Sequence, residues 1–160
     1  MSDHAEKEPD TTADDSRRTS DPRARGYVLD EQIGYLLRKA YQRNAVLFAE
    51  KVQCGLTPTQ FAVMARLTEI GSVSQNQLGR TVGLDVATTK GVVDRLHARG
   101  LIETARDPKD RRRQMISLSE EGRQLFAENA EIGLDVSEET LAPLTRTEQR
   151  SLLKILKKLQ

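Results

Sequence analysis

Apolar side chains recur at intervals of three and four residues over most of this chain, a spacing that favours amphipathic helices. The first such stretch follows Asp30, a good N-cap residue, and runs to about Val52. A second stretch begins after Gly55, where Thr57 caps the helix, proline suits its first turn and Gln60 completes a capping box. The pattern therefore predicts two helices joined by a short loop.

Two more helices are predicted directly after these, and the first of them is short. Residues 74–77 read Ser-Gln-Asn-Gln, another capping box, and predict a helix that ends at Gly83. Asp85 caps the next predicted helix, which continues to about Gly100, a suitable residue just beyond a helix end. A short helix, a tight turn and a longer helix together predict a helix-turn-helix.

After Gly100, the spacing of apolar residues changes from the helical interval of three or four residues to the every-second-residue alternation of a strand. Residues 101–106 and 113–118 are predicted strands, and the polar turn between them, which contains Pro108, predicts a hairpin with a charged tip. A fifth helix is predicted from Ser119, and a sixth from Thr145, which forms a capping box with a glutamate three residues later. A hairpin placed directly after a helix-turn-helix predicts a wing.

The fold class predicted from this order is mainly α with a small β-hairpin wing. Residues 1–26 contain no large aliphatic residue after Met1 and are predicted to form a disordered tail. Residues 56–118 are predicted to form a winged helix-turn-helix domain that binds DNA. The apolar stripes of the helices in 27–55 and 119–160 need burial outside that compact domain, either on their own subunit or on a second one. We favour the second arrangement, a helical dimerisation region in a homodimer, because one winged module reads too few bases for good specificity.

Charge supports a nucleic-acid partner once its distribution is considered. The whole chain has a net charge of only +1, but residues 71–118 contain nine basic and five acidic residues, a net charge of +4. A concentration of positive charge on the helix-turn-helix and its wing is typical of a surface that binds double-stranded DNA. The alternative at this stage is a basic surface that faces only solvent.

The predicted wing contains the motif Asp107-Pro108-x-Asp110-Arg111-Arg112-x-x-x-Ile116-x-Leu118-Ser119-x-x-Gly122. Two earlier segments read Leu56-Thr57-Pro58-x-Gln60-Phe61 and Leu96-x-x-x-Gly100-Leu101-Ile102. In these motifs, the sequence resembles the MarR family of regulators, and the similarity extends over about residues 29–159. The resemblance would imply a dimer with one winged domain per subunit, a pseudo-palindromic DNA site, and release by a small aromatic or phenolic ligand.

The fourth helix is the predicted recognition helix. Val92, Val93 and Leu96 are expected to point into the core, so the neighbouring faces of the helix meet DNA. Gly91 stands where family members often have a long polar side chain, which suggests backbone approach or shape readout at this position. The predicted DNA-contacting residues outside the wing are Ser74, Gln75, Asn76, Val86, Ala87, Thr88, Lys90 and Arg95.

The wing supplies the remaining predicted DNA contacts. Arg111 and Arg112 are expected to enter the minor groove, from the resemblance and from their charge, and Arg113 is expected to contact phosphate. Asp110 would be repelled by DNA, so we expect it to brace an arginine through a charge-assisted hydrogen bond. For Arg95 and Arg99, a structural role is the alternative to DNA contact, because Asp94 and the C-terminus of the fourth helix offer them partners within the protein.

A ligand site is expected between the winged domain and the dimerisation helices, as the resemblance implies. Residues 29–40 look similar to family members that control aromatic-acid catabolism, which favours an aromatic acid or its CoA thioester as the effector. Phe61 and Met64 are also typical core residues, so the alternative is that they pack in the core and do not line a pocket. The candidate effector-binding residues are Tyr35, Arg38, Lys39, Tyr41, Arg43, Phe61 and Met64.

Other functions have less support in the sequence. Cys54 is the one cysteine and leaves open a redox-responsive regulator, while a winged helix used only for protein contacts would not need three consecutive arginines. No glycine-rich phosphate loop, nucleophile motif or metal-ligand spacing is present, so we expect no enzyme, cofactor or metal site.

No apolar run is long enough for a membrane span, and we expect a cytoplasmic protein.

Overall fold

The computed structural model describes residues 26–110 and 112–160 and divides the chain into two compact units, residues 1–39 and 40–160. The predicted disordered tail and the expected role of Arg111 lie outside the described residues, apart from Gly26. The division falls inside the first helix, so the three-part organisation inferred from the sequence stays a prediction.

The first helix, α1, spans Ile33–Lys51 and begins later than predicted. Asp30 lies within a 3-10 turn, Leu29–Glu31, so its prediction as the helix N-cap was wrong. The turn and the helix are separate because Gln32 has an extended backbone, and its side-chain amide donates to the Val28 carbonyl at 2.8 Å. A capping residue identified by its type alone can thus belong to a neighbouring turn.

The second helix, α2, spans Pro58–Ile70 and has the predicted capping box. The Gln60 amide donates to Thr57 Oγ1 at 3.2 Å, and the Thr57 amide donates to Gln60 Oε1 at 2.9 Å. These bonds satisfy two backbone donors that a helix otherwise leaves without partners. Gly71 ends the helix with a φ of 71°, which favours glycine.

The helix-turn-helix consists of α3, Gln75–Val82, and α4, Val86–Ala98. The Asp85 cap of α4 is confirmed, since Asp85 Oδ1 accepts the Thr88 amide at 2.8 Å. The predicted Ser74 capping box is wrong, because the Ser74 side chain makes no capping bond. Ser74 ends a short strand instead, β1, Val73–Ser74, which the sequence analysis did not find.

The predicted hairpin is confirmed and forms part of a three-stranded sheet. Strands β2, Ile102–Arg106, and β3, Gln114–Leu118, are antiparallel, with Ile102 opposite Leu118 and Arg106 opposite Gln114. Strand β1 pairs with the other edge of β3, which gives the order β1-β3-β2. The sheet therefore connects the start of α3 to the base of the wing.

One hydrophobic core joins α2, α3, α4 and the sheet. Its fully buried side chains include Met64, Leu67, Leu78, Leu96 and Ile116. The remaining helices are α5, Glu120–Leu141, and α6, Arg146–Leu156, the latter with the predicted Thr145 capping box. The mainly α winged-helix fold class is confirmed. Within the described ranges, no helix has both the length and the apolar character needed to cross a membrane.

Candidate DNA-binding surface and ligand-contact residues

Small residues hold the two helices of the helix-turn-helix close together. A Cβ atom at Gly79 of α3 would lie 2.6 Å from Thr89 Oγ1 and 3.2 Å from the Leu84 carbonyl oxygen, so only glycine permits this approach. Thr89 is buried and donates its hydroxyl to the Asp85 carbonyl at 2.7 Å. Gly83 makes the turn with a left-handed backbone. These contacts set the direction in which α4 projects.

The outward face of α4 is the one that the sequence predicted. Val86 is 69% exposed, and Ala87, Thr88 and Lys90 are exposed, whereas the side chains expected in the core are buried. The pKa of Asp85 is lowered by hydrogen bonds from the backbone amide and the hydroxyl of Thr88. Lys90 forms an ion pair with Asp94, one turn along the helix. The start of α4 thus offers small and apolar groups on a rigidly capped helix.

A basic groove lies between the start of α3 and the base of the wing. It has a volume of about 610 Å³, and Arg113 Nη2 lies 3.4 Å from Ser74 Oγ across it. Four guanidinium groups and four neutral polar side chains line it, with no carboxylate among the described lining residues. The lining residues are Ser74, Gln75, Asn76, Arg80, Arg106, Arg112, Arg113 and Gln114. Such a set suits a phosphate backbone.

Two arginines of this basic groove were missed by the sequence analysis. Arg80 lies four residues after Asn76, so it shares a face of α3 with that residue. Arg106 lies opposite Gln114 in the β2–β3 register. Helical spacing could have identified Arg80, and the pairing of the hairpin could have identified Arg106.

The aspartates of the wing stabilise its backbone. Asp110 Oδ1 accepts the Arg112 amide at 3.0 Å, and Asp107 Oδ1 accepts the Lys109 amide at 2.8 Å. Asp110 thus has a turn-forming role, and the expected bracing of an arginine side chain stays a prediction, because Arg111 lies outside the described residues. The Arg112 side chain is exposed and available for other contacts.

Arg95 of α4 and Arg99, the residue just after that helix, have different environments. Arg99 donates to the Gly55 carbonyl at 2.7 Å and to the Cys54 carbonyl at 2.9 Å, so it ties the end of α4 to the loop before α2. Arg95 is exposed, and its guanidinium lies beside Gly91. Of the two, Arg99 therefore has the structural role.

Three candidate ligand residues come together on the part of α1 that belongs to the first unit. The Arg38 guanidinium carbon lies 5.3 Å from the centre of the Tyr35 ring, and Lys39 Nζ lies 5.4 Å from it. Both distances are within the range of cation–π attraction. Two positive charges thus flank one partly exposed phenol ring.

The other candidate ligand residues have separate environments in the second unit. Phe61 packs against Phe126, with ring centres 5.1 Å apart. Met64 is fully buried in the hydrophobic core, which agrees with the core-packing alternative for this residue. Arg43 donates to the carbonyls of Glu139 and Thr140 at 3.1 and 3.3 Å. Tyr41 is 57% exposed.

Two other kinds of site were considered, a redox-active cysteine and a metal site. Cys54 is partly exposed and unpaired with another cysteine in the described chain. Across residues 26–110 and 112–160, no three histidine, cysteine, aspartate or glutamate side chains are grouped to hold a metal ion.

An exposed recognition helix beside an arginine-lined wing defines a winged helix-turn-helix DNA-binding protein. A profile described as the MarR family matches residues 56–113. The HTH-type transcriptional repressor NicR of Pseudomonas putida is 36% identical over 135 residues, which cover 83% of this chain and 85% of NicR. The chain belongs to the MarR family of DNA-binding transcription regulators.

Two solved structures extend the similarity. A probable transcriptional regulator from Pseudomonas aeruginosa is 48% identical, with a TM-score of 0.78, and the match covers 83% of this chain and all of that one. BpsR of Bordetella bronchiseptica, whose DNA binding is regulated by 6-hydroxynicotinic acid, is 34% identical with a TM-score of 0.79. That match covers 83% of this chain and 96% of BpsR. Regulators of this family bind DNA and small ligands and act as dimers.

Proposed function

We propose that this protein is a homodimeric repressor that binds a pseudo-palindromic operator and is released by a small aromatic acid or its CoA thioester. The observation that carries the DNA-binding part is the basic groove next to the exposed face of α4. The repressor assignment is supported by the similarity to NicR. A reporter gene placed behind the operator tests it, because deletion of the protein should raise expression.

The two parts of the surface contact different parts of the duplex. The start of α4 enters the major groove, where Val86 and Ala87 can meet thymine methyl groups and Thr88 and Lys90 can meet base edges or backbone. The basic groove holds a phosphate strand, with Arg80 and Arg106 added to the contacts expected from the sequence. Arg112 reaches the minor groove from the wing.

Dimer formation is supported by unburied apolar side chains on the helices outside the winged core. In the first unit, Ile33 is 64% exposed, and Leu36 and Leu37 are exposed beside it. In the second unit, Ile155 of α6 is 54% exposed and Leu159 beyond it is 67% exposed. Apolar surface of this kind is typical of interfaces. Two recognition helices about 34 Å apart then match successive major grooves.

The effector assignment is supported by the similarity to BpsR and by the charges around Tyr35. An aromatic acid offers a ring and a carboxylate, which complement a phenol ring flanked by Arg38 and Lys39. We propose that the effector stabilises a dimer in which the recognition helices have a different separation. A coupling free energy of about 1–3 kcal/mol would reduce operator affinity by roughly 5- to 150-fold.

Fluorescence anisotropy tests DNA binding directly. The full chain is titrated onto the duplex upstream of its own gene and onto a scrambled duplex, at two salt concentrations. Specific binding that weakens with salt supports the proposal, and removal of Arg80 should weaken it more than removal of Arg150, an exposed arginine of α6. If the scrambled duplex and every duplex from a random library bind equally, the proposed function is wrong.

Addition of 6-hydroxynicotinic acid, benzoic acid or benzoyl-CoA to the bound complex tests the effector. We expect release by at least one of them, and a weaker response in Arg38→Ala than in Arg150→Ala. Unchanged anisotropy with all aromatic acids and thioesters would refute the effector class while leaving DNA binding intact. Oxidants, with Cys54→Ser as the control, then test the redox alternative.

A further inference from the structure

Gly91 of the recognition helix is half-buried, and no contact of this residue requires glycine. Its backbone is helical, and glycine inside a helix is less stabilising than alanine because the unfolded chain has more conformational freedom there. Apart from the backbone of the helix itself, the three atoms nearest to a Cβ placed there belong to the guanidinium of Arg95 and lie within 4 Å. By contrast, the glycine of α3 at position 79 is required by contact with α4. The space at Gly91 is therefore filled by Arg95.

The Arg95 side chain runs along the helix toward its N-terminus. A Cβ at Gly91 would lie 3.5 Å from Nη1 of Arg95 and 3.7 Å from Nη2, so the guanidinium lies one turn before its own Cα. Helical side chains lean in this direction, and Ala87, a further turn back, is also small. The N-terminal turns of a recognition helix are the ones that contact base edges. Gly91 and Ala87 thus leave room for the Arg95 side chain to extend toward the N-terminus of α4.

Arg95 also differs in its partners from Lys90 of α4 and from Arg99 at the end of that helix. Lys90 is paired with Asp94, and Arg99 donates to two backbone carbonyls. Within the part of the chain that the structure describes, Arg95 has neither an ion pair nor a side-chain hydrogen bond. Its five donors are free for a ligand, and arginine pairs in bidentate fashion with O6 and N7 of guanine.

We propose that Gly91 and Arg95 form one base-reading element, in which the missing side chain at 91 lets Arg95 reach a guanine in the major groove of each half-site. This inference rests on the proposed DNA-binding function. It replaces the sequence-based suggestion that the backbone itself approaches DNA at Gly91. If the backbone at Gly91 approached DNA, a single methyl group at this position would block binding. If Arg95 reads the base, the methyl group of Gly91→Ala only touches the Arg95 guanidinium at van der Waals distance and should have a small effect.

The test is selection of duplexes from a randomised library by the full-length protein, followed by anisotropy on the selected sequence. Wild-type protein should select a guanine at one position of each half-site. Arg95→Ala should lose that preference and bind the selected duplex about 10- to 100-fold more weakly, and Arg95→Lys should keep the charge but lose most of the preference. Gly91→Leu, which displaces the guanidinium, should lose the preference more completely than Gly91→Ala.

Matched controls separate folding from base reading. Arg99→Ala removes the same charge from the same helix and should leave the selected sequence unchanged, even if it lowers the melting temperature. Thermal unfolding and weak binding to scrambled DNA verify that each variant is folded. Selection of the same guanine by Arg95→Ala would overturn the inference, as would a larger effect of Gly91→Ala than of Arg95→Ala. A wild-type protein that selects no sequence would instead refute the proposed function.

Discussion

Gly122 of α5 lies directly against the backbone of Leu101, and a Cβ atom at Gly122 would overlap the Leu101 carbonyl oxygen. Leu101 is the residue just before β2, and its carbonyl accepts the Ser119 amide at 3.1 Å. The Ser119 hydroxyl donates to the Gly100 carbonyl at 2.6 Å and accepts the Gly122 amide. The end of the recognition helix and the start of α5 are therefore fixed to one another by a glycine and a serine.

Replacing Gly122 with alanine should destabilise the fold by more than about 3 kcal/mol, because the contact is with backbone that cannot move aside. Urea unfolding at a fixed protein concentration measures this effect. Gly34→Ala is the control, since a Cβ there meets nothing within 4 Å and should change stability by less than about 1 kcal/mol. Equal effects at the two glycines would contradict the close approach at Gly122.

Gly133 has a comparable role in the middle of α5. A Cβ there would lie 2.8 Å from Cε1 of Phe61, whose ring packs edge-on against Phe48 with centres 5.5 Å apart. Gly133→Ala should cost about 1–3 kcal/mol by overpacking, and Phe61→Leu in the same chain should recover part of it. A double-mutant cycle on the free energy of unfolding tests this coupling, and additive changes would argue against it.

Arg112 and Arg99 should differ in their effect on the salt dependence of DNA binding. Arg112→Ala should reduce the slope of log affinity against log salt by about 0.9 for each phosphate that the arginine neutralises, because fewer counterions are released. Arg99→Ala should leave the slope unchanged, since its guanidinium binds the carbonyls of Gly55 and Cys54. A slope unaltered by Arg112→Ala would show that this residue does not bind phosphate.

The cap of the recognition helix should respond to pH. Hydrogen bonds from the Thr88 amide and hydroxyl lower the pKa of Asp85 below its ordinary value of 3.8, so folding favours the carboxylate. Its stabilisation is present above pH 3.8 and disappears as the pH falls through the lowered pKa. Asp85→Asn keeps an oxygen acceptor without the titration, so the stability advantage of wild type should shrink on acidification. A constant difference down to pH 2 would contradict this assignment.

Patterns within a few residues of each other predicted most elements of the fold. Thr57 and Gln60 form their capping box because both partners are close in the sequence. Ser74 has the same type of pattern and makes no capping bond, because it belongs to β1, opposite Met115 of β3. The partner strand is about forty residues away, so no local pattern could reveal it. Asp30 was misassigned for the related reason that a 3-10 turn precedes α1.

The candidate DNA surface was found in part by the same means. Arg112 and Arg113 were identified by the basic wing motif, whereas Arg80 and Arg106 join them only because the sheet brings α3 and the wing to one groove. For the ligand residues, sequence reasoning grouped Arg43 with Arg38 as cations of one helix. The structure gives Arg43 a partner that the sequence did not suggest, since its guanidinium binds the carbonyls at the end of α5, almost a hundred residues later.

The sequence by itself determined the order of the six described helices and the hairpin, the winged-helix class and the basic character of the recognition helix and wing. Those properties depend on hydrophobic period, capping residues and charge, which act over a few residues. Only the tertiary structure decided that Gly91 leaves room for Arg95 and that Gly122 meets Leu101. Such contacts depend on where a backbone or side chain passes, and that path is set by the packing of the whole core.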